Sequence, residues 1–479
     1  MKHCLLLSIL YFGLLLTSHA QDCPPIELAL RSQADVDNFS VDYPTCTDIK
    51  RLIIEGDDIT TLQGLEGITM CAFLYIQNLP NLQSLEGLTS IRRVIHLIID
   101  STGLTSLGGL ESLDTVEFIL NISRNDHLID LSGLEAVTDV NGLYVSDNAA
   151  LQSLQGLGSL KRLHNLSIEY CPSLINLTGM PALETLDALY LGNNTQLTDL
   201  SGIEQITLLE NDLAIYSNPL LASLQGLQAI EKIRNIDIRG NSSLLNMSGL
   251  ESLIQSTGNV NIHSNTSMVD LHGLNNLTSI DKQLEIFGNN SLQRLDGLNS
   301  LKTIGLDFLL RENAQLTDVT SLQQLTSVAG QLYISDNDNL ESLSGLDNLS
   351  IIGNLEITFN NNLSACSVQS ICQYLASGGP SQVGANLGGC ANEAQILESC
   401  VVSSDDLASS PIPVFPNPAH SIVLLPERIS DAVVFDVTGR KYQVEIIDAR
   451  MDVSVFPSGI YMIRCEVNGA VKVASFVKM

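Results

Sequence analysis

One beat governs most of this chain. The motif Leu-x-Gly-Leu, or a close variant, places glycine at 64, 87, 109, 133, 156, 179, 202, 226, 249, 273, 297 and 345, and Ser321 fills the missing step. From Gly64 to Gly345 is 281 residues in twelve steps, or 23.4 per step. A period of this length is the mark of a solenoid, in which no unit can bury its apolar stripe alone and stacked neighbours bury it together.

A single unit shows how. In residues 151–168, leucines fall at 151, 154, 157, 160, 163 and 166, and the unit closes on Ile168. The three-residue spacing suggests a helix, but a glycine inside every such segment disfavours helix by about 1 kcal/mol each time. Compact turns are expected there instead. The closing Leu-x-Ile alternation predicts a short β-strand. Fourteen such slots run from Leu52/Ile54 to Leu355/Ile357. Inward leucines that each gain about 1.5–3 kcal/mol on burial make the interior the dominant stabilising term. Three residues after each strand's last apolar position stands asparagine, at 125, 148, 194, 218, 241, 265, 289, 313, 337 and 360. A corner amide accepts from one backbone N–H and donates to a carbonyl, so stacked copies satisfy one another. Cys171 holds the same slot in its coil and is expected to be a buried, inert member.

The ends differ in texture. Lys2 and His3 precede an apolar run, Leu5 to Leu16, and then Thr17-Ser18-His19-Ala20, the layout of a signal peptide over 1–20. The run is short for a membrane span, and no transmembrane helix is expected elsewhere. Residues 21–50 are expected as an N-terminal cap, 51–365 as the solenoid, 366–402 as a C-terminal cap and 403–413 as a linker. From 414 to 479 the beat stops and six short alternating runs predict a small β-sandwich, with a hairpin turn at Asn468-Gly469. The fold expected is mainly β: a right-handed, leucine-rich-repeat-like β-solenoid followed by that sandwich.

Two resemblances follow. Pro416-Asn417-Pro418, the segment from Val434 through Gly439 to Arg440, the segment from Pro457 through Gly459 to Tyr461, and the closing Phe476 to Met479 resemble the C-terminal sorting domain of type IX secretion in Bacteroidetes. That resemblance implies a partner in the secretion machinery and a secreted or outer-surface location. The repeats resemble leucine-rich repeats, and more closely the receptor L-domain solenoids. Cys23 with Cys46 looks like that family's first coil, and the block from Leu363 to Cys400 like its terminal cap. Nothing resembles a receptor's membrane span or kinase, so ligand preference does not carry over.

Cysteines sit mainly at the ends. Cys23 and Cys46 flank the first coil, and Cys366, Cys372, Cys390 and Cys400 cluster in the last. Disulfides there fit an exported setting in which solenoid ends need closing. Four cysteines allow three pairings; Cys366–Cys390 with Cys372–Cys400 is the expectation. The spacings lack a Cys-x-x-Cys pair, against zinc.

The chain carries 53 acidic and 23 basic side chains, a net charge of −30. This excess opposes binding to nucleic acid or anionic membrane. The histidines are scattered, with no metalloprotease helix, nucleophile elbow or phosphate loop; His164, ahead of a strand, is expected as a solvated turn residue. No catalytic residue, cofactor or metal is expected. Asp336-Asn337-Asp338-Asn339 gathers oxygen ligands but lacks the glycine and terminal glutamate of a calcium loop. The outward slots of the strands are more informative. They hold Tyr75, Tyr144, Tyr190, Tyr216, Phe287 and Tyr333 in a chain with only 5% aromatics. Such a face offers sugar rings or a protein partner a shallow surface, although tyrosine also favours pleated strands intrinsically. The function expected is a surface or secreted binding or adhesion protein for an extracellular protein or glycan. A polysaccharide-active enzyme and a structural surface-layer component are the alternatives.

Overall fold

The computed structural model describes residues 23–402 except Pro25, and then 414, 417–425, 432–436, 440–444, 446–447, 450–467 and 470–479. The expected leader, the linker over 403–413, the turn at 468–469, and Pro416 and Gly439 of the sorting motif lie outside the described residues. The chain is mainly β, with a parallel β-solenoid of about 16 turns. Residues up to 292 together with 296–298 form one compact unit; 293–295 and 299–479 form a second.

In the first unit the strands are β1 (Leu28–Leu30), β2 (Asp48–Ile54), β3 (Met70–Leu79), β4 (Arg93–Thr102), β5 (Thr115–Ser123), β6 (Asp139–Ser146), β7 (Arg162–Glu169), β8 (Thr185–Gly192), β9 (Leu208–Tyr216) and β10 (Lys232–Arg239), then the shorter pieces β11 (Gln255–Ser256), β12 (Val260–His263), β13 (Ser279–Ile280) and β14 (Leu284–Phe287). Helix α1 (Gln33–Asp42) covers the first coil, started by a capping box between Ser32 and Asp35. Each strand pairs in parallel with the next coil's strand, one buried aliphatic side chain beside its equivalent: Leu74 with Leu97, Leu166 with Leu189, Ile236 with Val260. The periodic leucines and isoleucines are buried throughout.

The glycine of the beat has a steric cause that reaches beyond helix avoidance. All twelve adopt φ between +110° and +131°. A Cβ on Gly156 would stand 2.0 Å from the Leu131 carbonyl oxygen of the preceding coil, so only glycine combines that backbone with that approach. Two residues later a side chain caps the same turn. Glu111 accepts from Gly109 N–H at 2.9 Å, Glu251 from Gly249 at 2.9 Å and Gln228 from Gly226 at 2.7 Å. Part of the acidic excess therefore serves the turns.

The corner asparagines form the expected ladder. Asn194 N–H donates to Asn218 Oδ1 at 3.0 Å, Asn218 N–H to Asn241 Oδ1 at 3.0 Å and Asn241 N–H to Asn265 Oδ1 at 3.1 Å. Each amide nitrogen reaches back to a strand carbonyl, as Asn218 Nδ2 does to Leu191 O at 3.0 Å. Cys171 sits in the row, its N–H donating to Asn194 Oδ1 at 2.9 Å, and burial pushes its thiol up to about 11. Cys71 is buried too, its thiol raised to about 12.

The second unit holds β15 (Thr303–Ile304), β16 (Phe308–Arg311), β17 (Ser327–Ser335), β18 (Ile351–Thr358), α2 (Gln369–Ala376), β19 (Ser381–Gly384) and α3 (Glu393–Val402). At the missing glycine the chain makes a 3-10 turn, Thr320–Leu322, with Ser321 buried inside it. Its ladder gains a rung that the sequence pattern does not announce: Asn360 N–H donates to Asn386 Oδ1 at 2.9 Å. The structure also adds strands beyond the fourteen slots, because β1 pairs with β2 and β19 with β18. Disulfides join Cys23 to Cys46, Cys366 to Cys390 and Cys372 to Cys400, with Cα separations of 4.9, 5.7 and 5.7 Å.

Seven terminal strands follow: β20 (Ile422–Leu424), β21 (Ala432–Asp436), β22 (Lys441–Gln443), β23 (Ile446–Ile447), β24 (Arg450–Asp452), β25 (Gly459–Val467) and β26 (Ala470–Lys478). They make an antiparallel three-stranded sheet, β20-β24-β23, and a four-stranded one, β22-β21-β25-β26. Val423 and Met451 from the first and Val434, Ile463 and Phe476 from the second share one core. The run 442–447, expected as a single strand, divides between the two sheets.

Candidate functional site

In each coil the residue between the two buried apolar positions of the strand points outward, and so does the residue after the second. Parallel pairing stacks these into columns. The inner column of the first unit runs through Tyr75 on β3, Tyr144 on β6, Tyr190 on β8, Ala214 on β9, Asp237 on β10 and Asn261 on β12. The outer column runs through Gly192, Tyr216, Arg239, His263 and Phe287. The six aromatic residues singled out by sequence therefore do not form one plate. Tyr75 is three strands from Tyr144, Phe287 lies at the far end of the outer column, and Tyr333 stands on β17 in the second unit. Tyr190 and Tyr216 come together on β8 and β9, with Tyr144 two strands away.

Glycines decide how two of these rings lie. A Cβ on Gly142 would be 2.6 Å from Tyr144 Cε2, and one on Gly192 would be 2.4 Å from Tyr216 Cε2. Each ring thus rests on backbone that no side chain occupies. Tyr144 remains 37% exposed. Tyr216 is covered by the Arg239 guanidinium, 4.7 Å from its centroid, a cation–π contact, and Arg239 Nε also donates to Asp237 Oδ2 at 3.0 Å. Tyr190 donates its hydroxyl to Asp212 at 2.8 Å, and Asp212 also receives Asn235 Nδ2 at 2.7 Å. Burial, reinforced by Asp212 at one phenol and Glu169 at the other, pushes Tyr190 and Tyr216 up to about 12. Phe287 is stacked on His263, centroids 4.2 Å apart.

A second aromatic row was missed by sequence reasoning. Phe73 stacks on His96 at 5.1 Å and His96 on Phe118 at 5.9 Å, with Arg51 over Phe73. Burial pulls the His96 imidazole below its ordinary value. The slot before the first strand leucine carried that signal for Phe73 and His96, while Phe118 stands one residue further back, before Ile119. His164 lies within β7 rather than in a turn, and its Nδ1 is 2.6 Å from Asp187.

Among the described residues, three outward acceptors find no protein donor: Asn121 Oδ1, Asp237 Oδ1 and Asn261 Oδ1, all shielded from solvent. Such a group costs about 1–3 kcal/mol. Two of the three are neighbours, because Asp237 pairs with Asn261 across β10 and β12.

The Asp336–Asn339 segment is not a converging set. Asp336 accepts from the Ser335 hydroxyl, Asp338 from Asn361 Nδ2 at 2.6 Å, and Asn337 belongs to the ladder. Among the described residues no group of three or more His, Cys, Asp or Glu is placed to hold a metal. No described helix is long and apolar enough to cross a membrane.

In the terminal sandwich the motif residues have structural work. Asn417 acts as a side-chain strand along β26, accepting from Val477 N–H at 2.9 Å and donating to Ser475 O at 3.1 Å, and Pro418 leads into Ala419, which bridges Lys478. Gly459 opens β25 opposite Lys478. Tyr461 donates to Pro457 O at 2.8 Å and packs among Tyr442, Phe456 and Phe476. Residues 413–479 match the family model of the secretion system C-terminal sorting domain. The chain ends in a sorting domain. No curated protein matches the chain in sequence. The sorting domain makes this a secreted or outer-surface protein, exported by type IX secretion, and implies an interaction with that machinery.

Proposed function

We propose that the solenoid is a non-catalytic binding or adhesion module that presents its outward sheet face to an extracellular protein or glycan. In this reading the coils are leucine-rich repeats of the receptor L-domain kind, and residues 1–20 are the export leader. One observation carries the proposal. Tyr144, Tyr190 and Tyr216 gather over β6 to β9 beside Glu169, Asp212, Asp237 and Arg239, on a face of a protein that works outside the cell. Aromatic rings with fixed polar neighbours are the usual makings of a recognition surface. The carboxylates here are engaged by a tyrosine, an asparagine and an arginine, which suits holding a ligand better than moving protons.

The test is to present the full chain to arrays of glycans and extracellular host proteins. Tyr190→Ala with Tyr216→Ala is expected to abolish the hit. An undiminished hit overturns the assignment to this face.

A further inference from the structure

The solenoid carries a second exposed row, at the corner that follows the asparagine ladder. The residue after the first buried leucine or methionine of each coil points outward there: Ile175, Thr198, Ala222, Leu245 and Val269 on successive coils, every one of them exposed. Backbone bonds hold the row in step, Thr198 N–H donating to Ile175 O at 3.0 Å, Ala222 N–H to Thr198 O at 3.1 Å and Val269 N–H to Leu245 O at 2.9 Å. With coils about 4.8 Å apart, the row is about 19 Å long. Ile175 and Leu245, 51% and 52% exposed, stand up from it, and the short Thr198 and Ala222 leave a notch between them. The row itself carries no charge. In residues 172–176, 195–199, 219–223, 242–246 and 266–270 the charged side chains are Asp199 and Asp270, and each is turned to a backbone N–H, of Ser201 and of His272, at 3.0 Å. Ile129, two coils before Ile175, is exposed as well, but Asp126 and Asp130 flank it and end the neutral run.

We infer that a second copy of the chain docks on this row, the two copies running antiparallel about a two-fold axis at Ala222. Charge decides the occupant. With a net charge of −30 two copies repel each other, and they approach most easily where neither presents carboxylates. A cationic partner is drawn instead to the turn carboxylates, such as Glu204 and Glu251, and gains nothing from a row of aliphatic side chains. The row also fits itself. An antiparallel two-fold sets Leu245 of one copy over Thr198 of the other, and the reverse, so that bulk meets notch twice, and Ile175 meets Val269 outside them. A single row of side chains falls short of the roughly 800 Å² that each partner gives to a standard interface, so the pairing is weak and depends on concentration. The row lies off the sheet that carries the tyrosines, and the inference stands independently of the binding-face reading.

The test is sedimentation equilibrium of the full chain over a concentration series, at low and at high salt. A monomer–dimer equilibrium is expected, and it tightens as salt screens the net charge. Leu245→Asp is expected to weaken pairing tenfold or more while the melting temperature of the dilute chain stays unchanged, because the side chain is exposed. Ala222→Leu adds apolar surface yet closes the notch, so it too is expected to weaken pairing tenfold or more, whereas mere stickiness would grow. Thr198→Lys added to Leu245→Asp restores pairing, because the two new charges face each other between copies. Leu208→Asp, exposed but at the start of β9, leaves pairing unchanged. A monomer at every concentration and at both salts overturns the inference, as does association that loosens with salt or is indifferent to Leu245→Asp. Tighter pairing of the Ala222→Leu chain overturns the antiparallel seat.

Discussion

The solenoid and the terminal sandwich are both β-structures built around apolar cores, yet they reach stability by opposite routes. The solenoid is parallel and repeats one small solution: inward leucine, positive-φ glycine, buried asparagine. Its contacts link each coil to the next, so its energetics are close to a sum over neighbours. The sandwich is antiparallel and does not repeat. Its core brings Val423 and Phe476 together across more than fifty residues of chain and concentrates aromatic rings, Tyr442, Phe456, Tyr461 and Phe476, that the solenoid interior largely does without. A defect in the first is expected to stay local, and a defect in the second to be felt by the whole domain.

The sharpest way to break that contrast is Phe476→Ala. It removes a fully buried ring and is expected to destabilise the sandwich by about 3–5 kcal/mol, while the thermal transition of the solenoid stays in place; a shared shift would show the two regions to be coupled. Export should fall with the sandwich, measured as the secreted fraction. Next comes Gly156→Ala. Its backbone conformation and the 2.0 Å approach to Leu131 O lead to an expected loss of about 3 kcal/mol. Gly158→Ala, with nothing within 4 Å, should change stability by less than about 0.5 kcal/mol. Hydrogen exchange should place the Gly156 damage in the neighbouring coils alone.

The ladder gives a finer test. Asn218→Ala leaves Asn194 N–H without its side-chain acceptor and removes the amide bond to Leu191 O, at about 2 kcal/mol. Cys171→Asn goes the other way. The slot now offers Asn148 N–H only a thiol sulfur, so restoring the amide should raise stability by about 1 kcal/mol. The smallest effect is spectroscopic. Burial and the neighbouring carboxylates push Tyr190 and Tyr216 up to about 12 in the folded chain, above the ordinary phenol value of about 10. A raised folded value means their contribution is present below pH 10 and is lost as the pH climbs through about 12. Ultraviolet titration should show two late phenols, and Asp212→Asn should bring Tyr190 down without moving Tyr216.

Much of this was legible in the residues, for identifiable reasons. Leu154, Leu157 and their equivalents declare themselves because burial imposes the same requirement in every coil, and repetition averages out local noise. The asparagine row was visible for the same cause, and the terminal domain through Asn417, Pro418, Gly459 and Tyr461. Glu111 and Glu251 also repeat, two residues after their glycines, but a surface carboxylate is common enough in so acidic a chain to pass unnoticed. Asn386 was hidden because the cap around it abandons the beat.

The candidate face was only half legible. Sequence put Tyr190 and Tyr216 on the outside of strands. Whether they met, what lay beneath them, and that Asp237 and Asn261 would stand side by side without donors depended on register. The period of the leucines alone dictated a spool of coils, because an apolar stripe that no coil can bury by itself has to find its copy in the next. Which outward side chains engage one another was settled only on folding, because the strands stack in register while the ring contacts and side-chain hydrogen bonds across them, such as Tyr190 with Asp212 and Arg239 with Tyr216, depend on packing that the period does not encode.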